Sequence, residues 1–214
     1  MKLLNLDFTR IAHDCFRIAG SKVLYTDPFK VTRQDKADLV VISHEHFDHL
    51  SVEDLQKVVT GETTIVASPI CESGLAGLKV KTLHFLRTGG AFTQDAVTIE
   101  GVAAYNTNKG PAPGKLFHPP GENRLGFLIT MDGTRVYFAG DTEVIPEMKL
   151  VRCDIALLPV SGTYVMTPEE AAEAAKIINP KIAVPMHYGA IVGSDADAKK
   201  FKALVKNCQV EIIG

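Results

Sequence analysis

The stretch Ile42–Ser51, ISHEHFDHLS, contains three of the chain's seven histidines and an aspartate, all within residues 44–49. It follows the apolar run Leu39–Ile42, which is typical of a strand buried on both faces. It ends at Ser51, a residue type that commonly caps a helix. The cluster therefore lies on a strand-to-helix loop, at the edge of a sheet where α/β proteins build their functional sites.

The spacing of these four side chains indicates a metal site. Residues i and i+2 of an extended segment point to the same side, so His44 and His46 can bind one ion. Asp48 and His49 come one step later and can bind a second ion nearby. Imidazole and carboxylate ligands suit zinc, and also iron or manganese. Solvated histidines would explain a single His-x-His, but not this density of ligands.

Strand and helix signals alternate outward from the cluster. Short apolar runs predict strands buried on both faces at Ala37–Ser43, Cys153–Val160 and Lys181–Met186. Capping residues mark three helix starts, at Ser51 with Asp54, at Thr167 with Pro168 and Glu170, and at Ser194. The segment Asn106–Asn123 is rich in proline and glycine and predicts a long loop, which at this length is typically functional.

A short internal repeat suggests the architecture. GSKVLYTD, Gly20–Asp27, resembles GTRVYFAGD, Gly133–Asp141, and each is a turn and a β-rich strand that ends in aspartate. A further aspartate and a further apolar strand follow each copy. Two similar β-rich halves with covering helices predict two sheets packed face to face with helices outside, in one α/β domain that spans residues 1–214.

The composition is that of an ordinary globular protein, with 46% hydrophobic and 22% charged residues among 214. A net charge of −2 gives no basic footprint, so no nucleic-acid partner is expected. Polar residues interrupt the N-terminal segment MKLLNLDFTR, and we expect neither a signal peptide nor a membrane span. Four widely separated cysteines favour buried, reduced thiols and a cytoplasmic location.

Several motifs together resemble the metallo-β-lactamase superfamily, whose fold is an αββα sandwich of two similar halves. They are the cluster itself, HDCFRI at 13–18, DPF at 27–29, FAGDT at 138–142, DIALLPVSGTYVMTPEEA at 154–171 and PMHYG at 185–189. The resemblance runs nearly end to end. It is strongest to a cytoplasmic subgroup related to ascorbate-6-phosphate lactonase.

This resemblance implies a set of metal ligands. His44 and His46 would bind the first ion, and Asp141 would bridge both. The remaining ligands, which would hold the second ion, are Asp48, His49 and His187. Asp141 and His187 each follow an apolar strand, which brings them to the same sheet edge as the cluster.

The chain departs from the family pattern in one ligand. The strand before the long loop usually ends in a histidine that completes the first site, but here it ends in Asn106. The nearest histidine is His118, inside the loop. Asn106, His118 or water could complete the site, and we expect Asn106 and His118 to contact the substrate. His13 is expected to have at most a supporting role, and Asp27 to form a turn or support a ligating histidine.

The expected function is that of a metal-dependent hydrolase acting on a small-molecule ester, lactone or phosphoester. One or two divalent ions, zinc above manganese or iron, would generate a hydroxide from bound water, and Asp48 would orient this hydroxide and receive the proton that the water releases. The alternatives are a nuclease or an iron-dependent oxidoreductase of the same superfamily, or a metal-holding binding module without turnover. The sequence leaves the oligomeric state open, a homo-oligomer included.

Overall fold

Two seven-stranded sheets form the centre of the computed structural model, which describes residues 1–32 and 35–214. The first sheet contains, from one edge to the other, β1 (Lys2–Leu3), β2 (Leu6–Ala12), β3 (Cys15–Ala19), β4 (Val23–Thr26), β5 (Leu39–Ile42), β6 (Thr64–Ala67) and β7 (Thr82–Phe85). The second contains β8 (Ala91–Gln94), β9 (Val97–Ala103), β10 (Leu125–Met131), β11 (Thr134–Phe138), β12 (Ile155–Pro159), β13 (Ile182–Met186) and β14 (Gln209–Val210).

The two sheets repeat one topology. In the first, β1 to β4 pair antiparallel, and β4 to β7 pair parallel. In the second, β8 to β11 pair antiparallel, and β11 to β14 pair parallel. The two repeated segments are therefore equivalent strands, β4 followed by Asp27 and β11 followed by Asp141. The prediction of two similar halves is confirmed.

The core explains why the central strands are apolar at every position. On β5, Leu39 and Val41 belong to the cluster between the two sheets, whereas Val40 and Ile42 pack on the other side with Leu55 of the first helix. Each residue of such a strand is therefore buried on one face or the other. The second sheet is covered likewise by buried residues of the last two helices, Ala171, Ala174, Ala175, Ala198 and Phe201. These layers form the predicted αββα sandwich.

The described part of the chain contains four helices, of which three begin where the sequence predicts and the second lies between the first two predicted starts. They are α1 (Val52–Val58), α2 (Glu72–Leu75), α3 (Pro168–Ile178) and α4 (Asp195–Leu204), and short 3₁₀ turns form at Pro69–Cys71 and Pro146–Leu150. The Ser51 side chain caps α1 by accepting from the Asp54 N–H, and Thr167 and Glu170 form a capping box at α3. The α4 cap at Ser194 is confirmed too. The three predicted strands are shorter than predicted by one to three residues.

The long loop is anchored next to the second sheet. Residues 106–123, all of them described, form neither helix nor strand. One carboxylate oxygen of the buried Glu143 accepts the backbone N–H groups of Thr107, Asn108 and Lys109, at 2.6, 2.8 and 3.1 Å. Because Glu143 stands two residues after Asp141, the loop is tied to the strand end that carries that aspartate.

Two further predictions concern cysteines and membranes. All four cysteines are free, but only Cys15 and Cys71 are buried, whereas Cys153 and Cys208 are partly exposed. Within residues 1–32 and 35–214, no helix has the length and apolar character needed to cross a bilayer.

Candidate metal centre

The predicted ligands meet at one edge of the sandwich. His44, His46, Asp48 and His49 follow β5, whereas Asp141 follows β11 and His187 follows β13. Parallel strands present their carboxyl ends at the same edge of a sheet, and the packing of the two sheets brings both edges together. Most of these side chains are buried, and His46 is the one most open to solvent.

Asp27 orients two of the histidines. Its carboxylate accepts a hydrogen bond from His49 Nδ1 at 2.7 Å and another from the Ser43 hydroxyl at 2.5 Å. Since that hydroxyl donates to Asp27, it accepts from His44 Nδ1, which lies 2.9 Å away. Both imidazoles therefore carry their proton on Nδ1 and direct the Nε2 atom inward. Asp27 supports the ligating histidines, which agrees with the expectation from the sequence.

His118 and His187 are held in the same way. The amide oxygen of Asn106 accepts from His118 Nδ1 at 2.8 Å, and an amide oxygen can only accept. The Ser161 hydroxyl lies 2.9 Å from His187 Nδ1 and donates to the Thr163 carbonyl, so it accepts from the imidazole. These two imidazoles also direct Nε2 toward the centre, as metal-ligating histidines generally do.

Asp141 stands between the four inward nitrogens. Its Oδ1 atom lies 3.4 Å from His49 Nε2 and 3.2 Å from His187 Nε2. Its Oδ2 atom lies 3.5 Å from His118 Nε2 and 3.9 Å from His44 Nε2. Each carboxylate oxygen thus faces one pair of imidazoles, which is the arrangement expected of a carboxylate that bridges two cations.

Unsatisfied polar atoms test whether these residues fit a metal pair. The Nε2 atoms of His49, His118 and His187 and the Oδ1 atom of Asp141 are buried and have no hydrogen-bond partner. A buried polar atom without a partner costs about 1–3 kcal/mol. Bound cations would satisfy all of these atoms, so the donor set fits two divalent metal ions.

The structure separates the donors into two groups. The ligand atoms of His44, His46 and His118 lie within 4.8 Å of one another, and those of Asp48, His49 and His187 form another such group together with His13. His118 therefore lies where the family places a histidine from the preceding strand, although it comes from the loop. The sequence left this ligand open because a loop conformation does not follow from its composition.

Asn106 was expected to contact the substrate, but its side-chain hydrogen bonds are made within the protein. It is fully buried, its amide nitrogen donates to the Tyr164 carbonyl at 2.7 Å, and its amide oxygen accepts from the backbone and the ring of His118. Both polar ends are thus used within the protein. Lys109, on the same loop, pairs with Glu170. Lys115 is exposed on the loop.

The electrostatics of the centre favour metal binding. Burial lowers the pKa of His118 to about 4, and burial followed by the charge of His49 holds the pKa of His44 well below its usual range. Both imidazoles are therefore neutral, as ligands must be. Burial opposes ionisation of Asp141, but His187 and His49 outweigh it and keep its pKa well below the usual range.

His49 behaves differently in the absence of metal. Burial would lower its pKa, but the charges of Asp141 and Asp27 outweigh burial and raise that pKa well above the ordinary value. A proton on Nε2 then occupies the place that a cation would take. Metal binding at this position therefore displaces a proton.

Two side chains that the sequence left without a defined role join the centre. His13 Nε2 lies 3.1 Å from Asp48 Oδ2, and its ring centroid is 3.9 Å from that of His187. Asp14 is fully buried and groups with His49, Asp141 and His187. Asp14 lies inside the motif HDCFRI at 13–18, which is the sequence feature that could have pointed to it.

Comparison with known proteins agrees with this architecture. Residues 7–187 match the family described as a beta-lactamase superfamily domain. A protein of Methanoculleus marisnigri, named UPF0173 metal-dependent hydrolase, is 33% identical over 204 residues, which cover 92% of this chain and 88% of the relative. A protein of the same name from Thermococcus onnurineus is 33% identical over 214 residues, covering 91% of this chain and 90% of the relative.

Solved structures of other proteins share this fold. The crystal structure of a protein from Parabacteroides distasonis, described as a metal-dependent hydrolase, has a TM-score of 0.82 at 36% identity and covers 97% of this chain and 92% of its own. The metallo hydrolase Igni18 of Ignicoccus hospitalis shares the fold, with a TM-score of 0.75 at 24% identity over 97% of this chain and 94% of its own. The closer kinship with ascorbate-6-phosphate lactonase stays a prediction. The chain belongs to the metallo-β-lactamase superfamily and, within it, to the UPF0173 metal-dependent hydrolases.

Proposed function

We propose that this protein hydrolyses an ester, lactone or phosphoester of a small molecule at a centre that binds two divalent metal ions. The observation that carries the proposal is the arrangement around Asp141, whose two carboxylate oxygens each face two inward Nε2 atoms. A buried acid surrounded by unsatisfied imidazole nitrogens is costly in a protein without metal, and it is suited to a protein that holds two cations.

The first position has the donors that zinc prefers. His44, His46 and His118 supply three nitrogens and Asp141 supplies an oxygen. Four donors of this kind match the tetrahedral coordination of zinc. At the second position, His49 and His187 stand beside the other oxygen of Asp141, and Asp48 groups with both of these histidines.

Two cations at this centre supply Lewis acidity and bring the pKa of water from 15.7 toward roughly 7, so that hydroxide is available at neutral pH. Asp48 is the residue that orients the attacking water. Burial raises the pKa of Asp48, but the contact with His13 and the charge of His49 together outweigh burial and hold the pKa below the usual range, so the side chain is an ionised acceptor at neutral pH. Its side chain is 14% exposed, whereas His13 behind it is fully buried, so water reaches the carboxylate from the open side.

The substrate reaches the centre from the side of His46. This imidazole has 41% of its side-chain surface exposed, in contrast to the buried His44 and His118. Phe47, the next residue, is 69% exposed and offers an apolar surface beside the metal positions. We therefore expect the non-reacting part of the substrate to lie along the loop that follows β5.

Metal analysis coupled to a panel of lactone, phosphodiester and thioester substrates tests the proposal. Protein reconstituted with zinc, manganese or iron should turn over at least one member of the panel, and chelation should abolish that turnover. Asp48→Asn should lower kcat by roughly 10²–10⁴-fold, the usual contribution of a positioned acid or base. Asp132→Asn, in the turn between β10 and β11, serves as the control. Full metal loading without turnover of any ester, lactone or phosphodiester would instead favour the metal-holding module.

A further inference from the structure

His13 and Asp14, in the turn between β2 and β3, are both completely buried. Consecutive residues of an extended chain point in opposite directions, so one of the two would ordinarily face away from the site. His13 instead has a φ of 52°, in the left-handed region that a residue with a side chain rarely adopts. This backbone conformation lets both side chains turn inward.

The turn is fastened to a ligand on the other sheet. The backbone N–H of His187 donates to the carbonyl of His13 at 3.3 Å, and His187 also has a left-handed φ, of 59°. Left-handed residues that carry side chains cluster at functional sites, where the surrounding structure holds them in place. The backbone of the turn is thus fixed relative to the second metal position.

Neither side chain has a hydrogen-bond partner that explains its burial. His13 Nε2 lies 3.1 Å from Asp48 Oδ2 without the alignment of a hydrogen bond, and both carboxylate oxygens of Asp14 are without a partner. His13 Nε2 and Asp48 Oδ2 are therefore placed like two ligands of one metal ion. Asp14 offers an atom within 4.8 Å of the ligand atoms of His49, Asp141 and His187.

We propose that His13 and Asp14 are additional ligands of the second metal position, so that the two positions select different metals. With them, two overlapping groups of donor atoms surround the second position and share His49 and His187. One group adds His13 and Asp48, and the other adds Asp14 and Asp141. A set of more than four donors that is rich in carboxylate oxygen suits manganese or iron(II), whereas the four donors of the first position suit zinc. The proposal rests on the proposed function in that it requires two bound cations.

Cobalt(II) is the probe that reports coordination number directly. Four-coordinate cobalt absorbs visible light strongly and six-coordinate cobalt weakly, because a centre of symmetry suppresses the transition. Metal-free protein titrated with cobalt should bind one ion with strong absorption and one with weak absorption. In Asp14→Asn and His13→Ala the weak spectrum should become stronger, since fewer ligands remain. Asp7→Asn, an exposed aspartate on β2, should keep the parent spectrum.

Manganese affinity gives a second and independent readout. Asp14→Asn should weaken manganese binding at the second position by at least roughly tenfold, and it should leave zinc at the first position unchanged. The metal-free variant should unfold at the same temperature as the parent or higher, because the substitution removes an uncompensated buried charge. A structural role for Asp14 would lower that temperature instead and overturn the proposal.

The outcomes separate this inference from the proposed function. Two cobalt ions that both absorb strongly, or an Asp14→Asn spectrum identical to that of the parent, would overturn the enlarged donor set at the second position and leave the metal-dependent hydrolase intact. Failure to bind any cobalt, manganese or zinc would overturn both.

Discussion

At the scale of single residues, the centre depends on which atom each side chain presents. Ser43, Asp27, Asn106 and Ser161 each accept from the Nδ1 atom of one histidine and leave Nε2 free. Free rotation of an imidazole would present either nitrogen, so these contacts convert flexible side chains into positioned donors. Asp141 then needs no partner other than the cations it faces.

Asp141 should matter more for metal binding than His13. Asp141→Ala removes the carboxylate that neutralises both cations, so metal content should fall from about two ions per chain to one or fewer. His13→Ala removes one donor of several and should retain both positions with weaker binding at the second. Elemental analysis after dialysis measures the difference. Equal metal occupancy in the two variants would contradict the bridging role of Asp141.

Metal binding at the first position should depend directly on His118, and on Asn106 because Asn106 orients His118. His118→Ala should lose about one metal ion per chain, because only two imidazoles remain there. Asn106→Ala should lower the affinity for that ion by roughly 10–100-fold, which is the usual cost of removing a partner that orients a ligand. Asn106→Asp keeps the acceptor for Nδ1 but loses the donor to the Tyr164 carbonyl, so comparing it with Asn106→Ala separates the two contacts. Zinc titration with a competing chelator measures all three, and parent-like affinity in His118→Ala would show that water completes the site.

At the scale of elements, helix caps and the convergence of strand ends could be predicted, whereas contacts that depend on the conformation of the long loop could not. The caps at Ser51, Thr167 and Ser194 depend on neighbours in sequence, so their patterns predicted the helix starts. The contact between Asn106 and His118 spans the loop, and it depends on how Glu143 holds the backbone. No local pattern encodes that geometry.

The same distinction applies to the proposed metal ligands, some of which could be predicted from the sequence and some of which could not. The cluster at 44–49 could be predicted because all of its members lie on one loop, and Asp141 and His187 because strand ends meet at one edge of the sheet. His13 and Asp14 were harder to place, since an alternating strand pattern predicts that adjacent residues face opposite ways. A left-handed residue at position 13 reverses that expectation, and histidine gives no sequence signal for it.

Helix α1 is fixed to the first sheet by Asp54, which gives a prediction about pH. Its two carboxylate oxygens accept from the backbone N–H groups of Lys30 and Val31, each at 2.9 Å. Burial raises the pKa of Asp54, but hydrogen bonds from Lys57 and Ser51 outweigh it and leave the pKa lowered. A lowered pKa in the folded state contributes stability above the unfolded value of about 3.9, and that stability is lost as the pH falls through the folded pKa.

Asp54→Asn should therefore lower the free energy of unfolding by about 1–3 kcal/mol at neutral pH. The difference from the parent should shrink as the pH falls below about 4. Glu53→Gln, on the same helix but exposed, should change the free energy of unfolding by less than about 0.5 kcal/mol. Denaturant unfolding at neutral and acidic pH measures both. A difference that persists unchanged in acid would mean that Asp54 acts through packing and not through its charge.

At the scale of the whole molecule, the proposed ligands are divided between the two halves. The first half supplies the ligands near β2, β3 and β5, and the second supplies His118, Asp141 and His187. The halves use their equivalent aspartates differently, since Asp27 orients histidines through Nδ1 and Asp141 faces the inward Nε2 atoms. The two similar halves form the two layers of the sandwich, and the candidate metal centre lies where these halves meet.

Metal ions that join the two halves should stabilise the whole fold. A ligand at 100 times its dissociation constant contributes about 2.7 kcal/mol to stability. For a chain of this length each kcal/mol is worth roughly 2–4 °C in Tm, so removing metal with a chelator should lower Tm by roughly 5–10 °C. Thermal unfolding by circular dichroism measures this shift, and it should be smaller in His118→Ala. An unchanged Tm in the parent protein would contradict metal ions bridging the halves.

The order of the ligands along the chain also sets when the centre can be completed during synthesis. The ribosome delivers the first half early, with the dense cluster at 44–49 already made, but Asp141 and His187 arrive only after β11 and β13. A nascent first half therefore offers a cation some of its donors and neither complete position. With the proposed ligands, strong metal uptake therefore requires that the end of β13 has left the ribosome tunnel and docked against the first half.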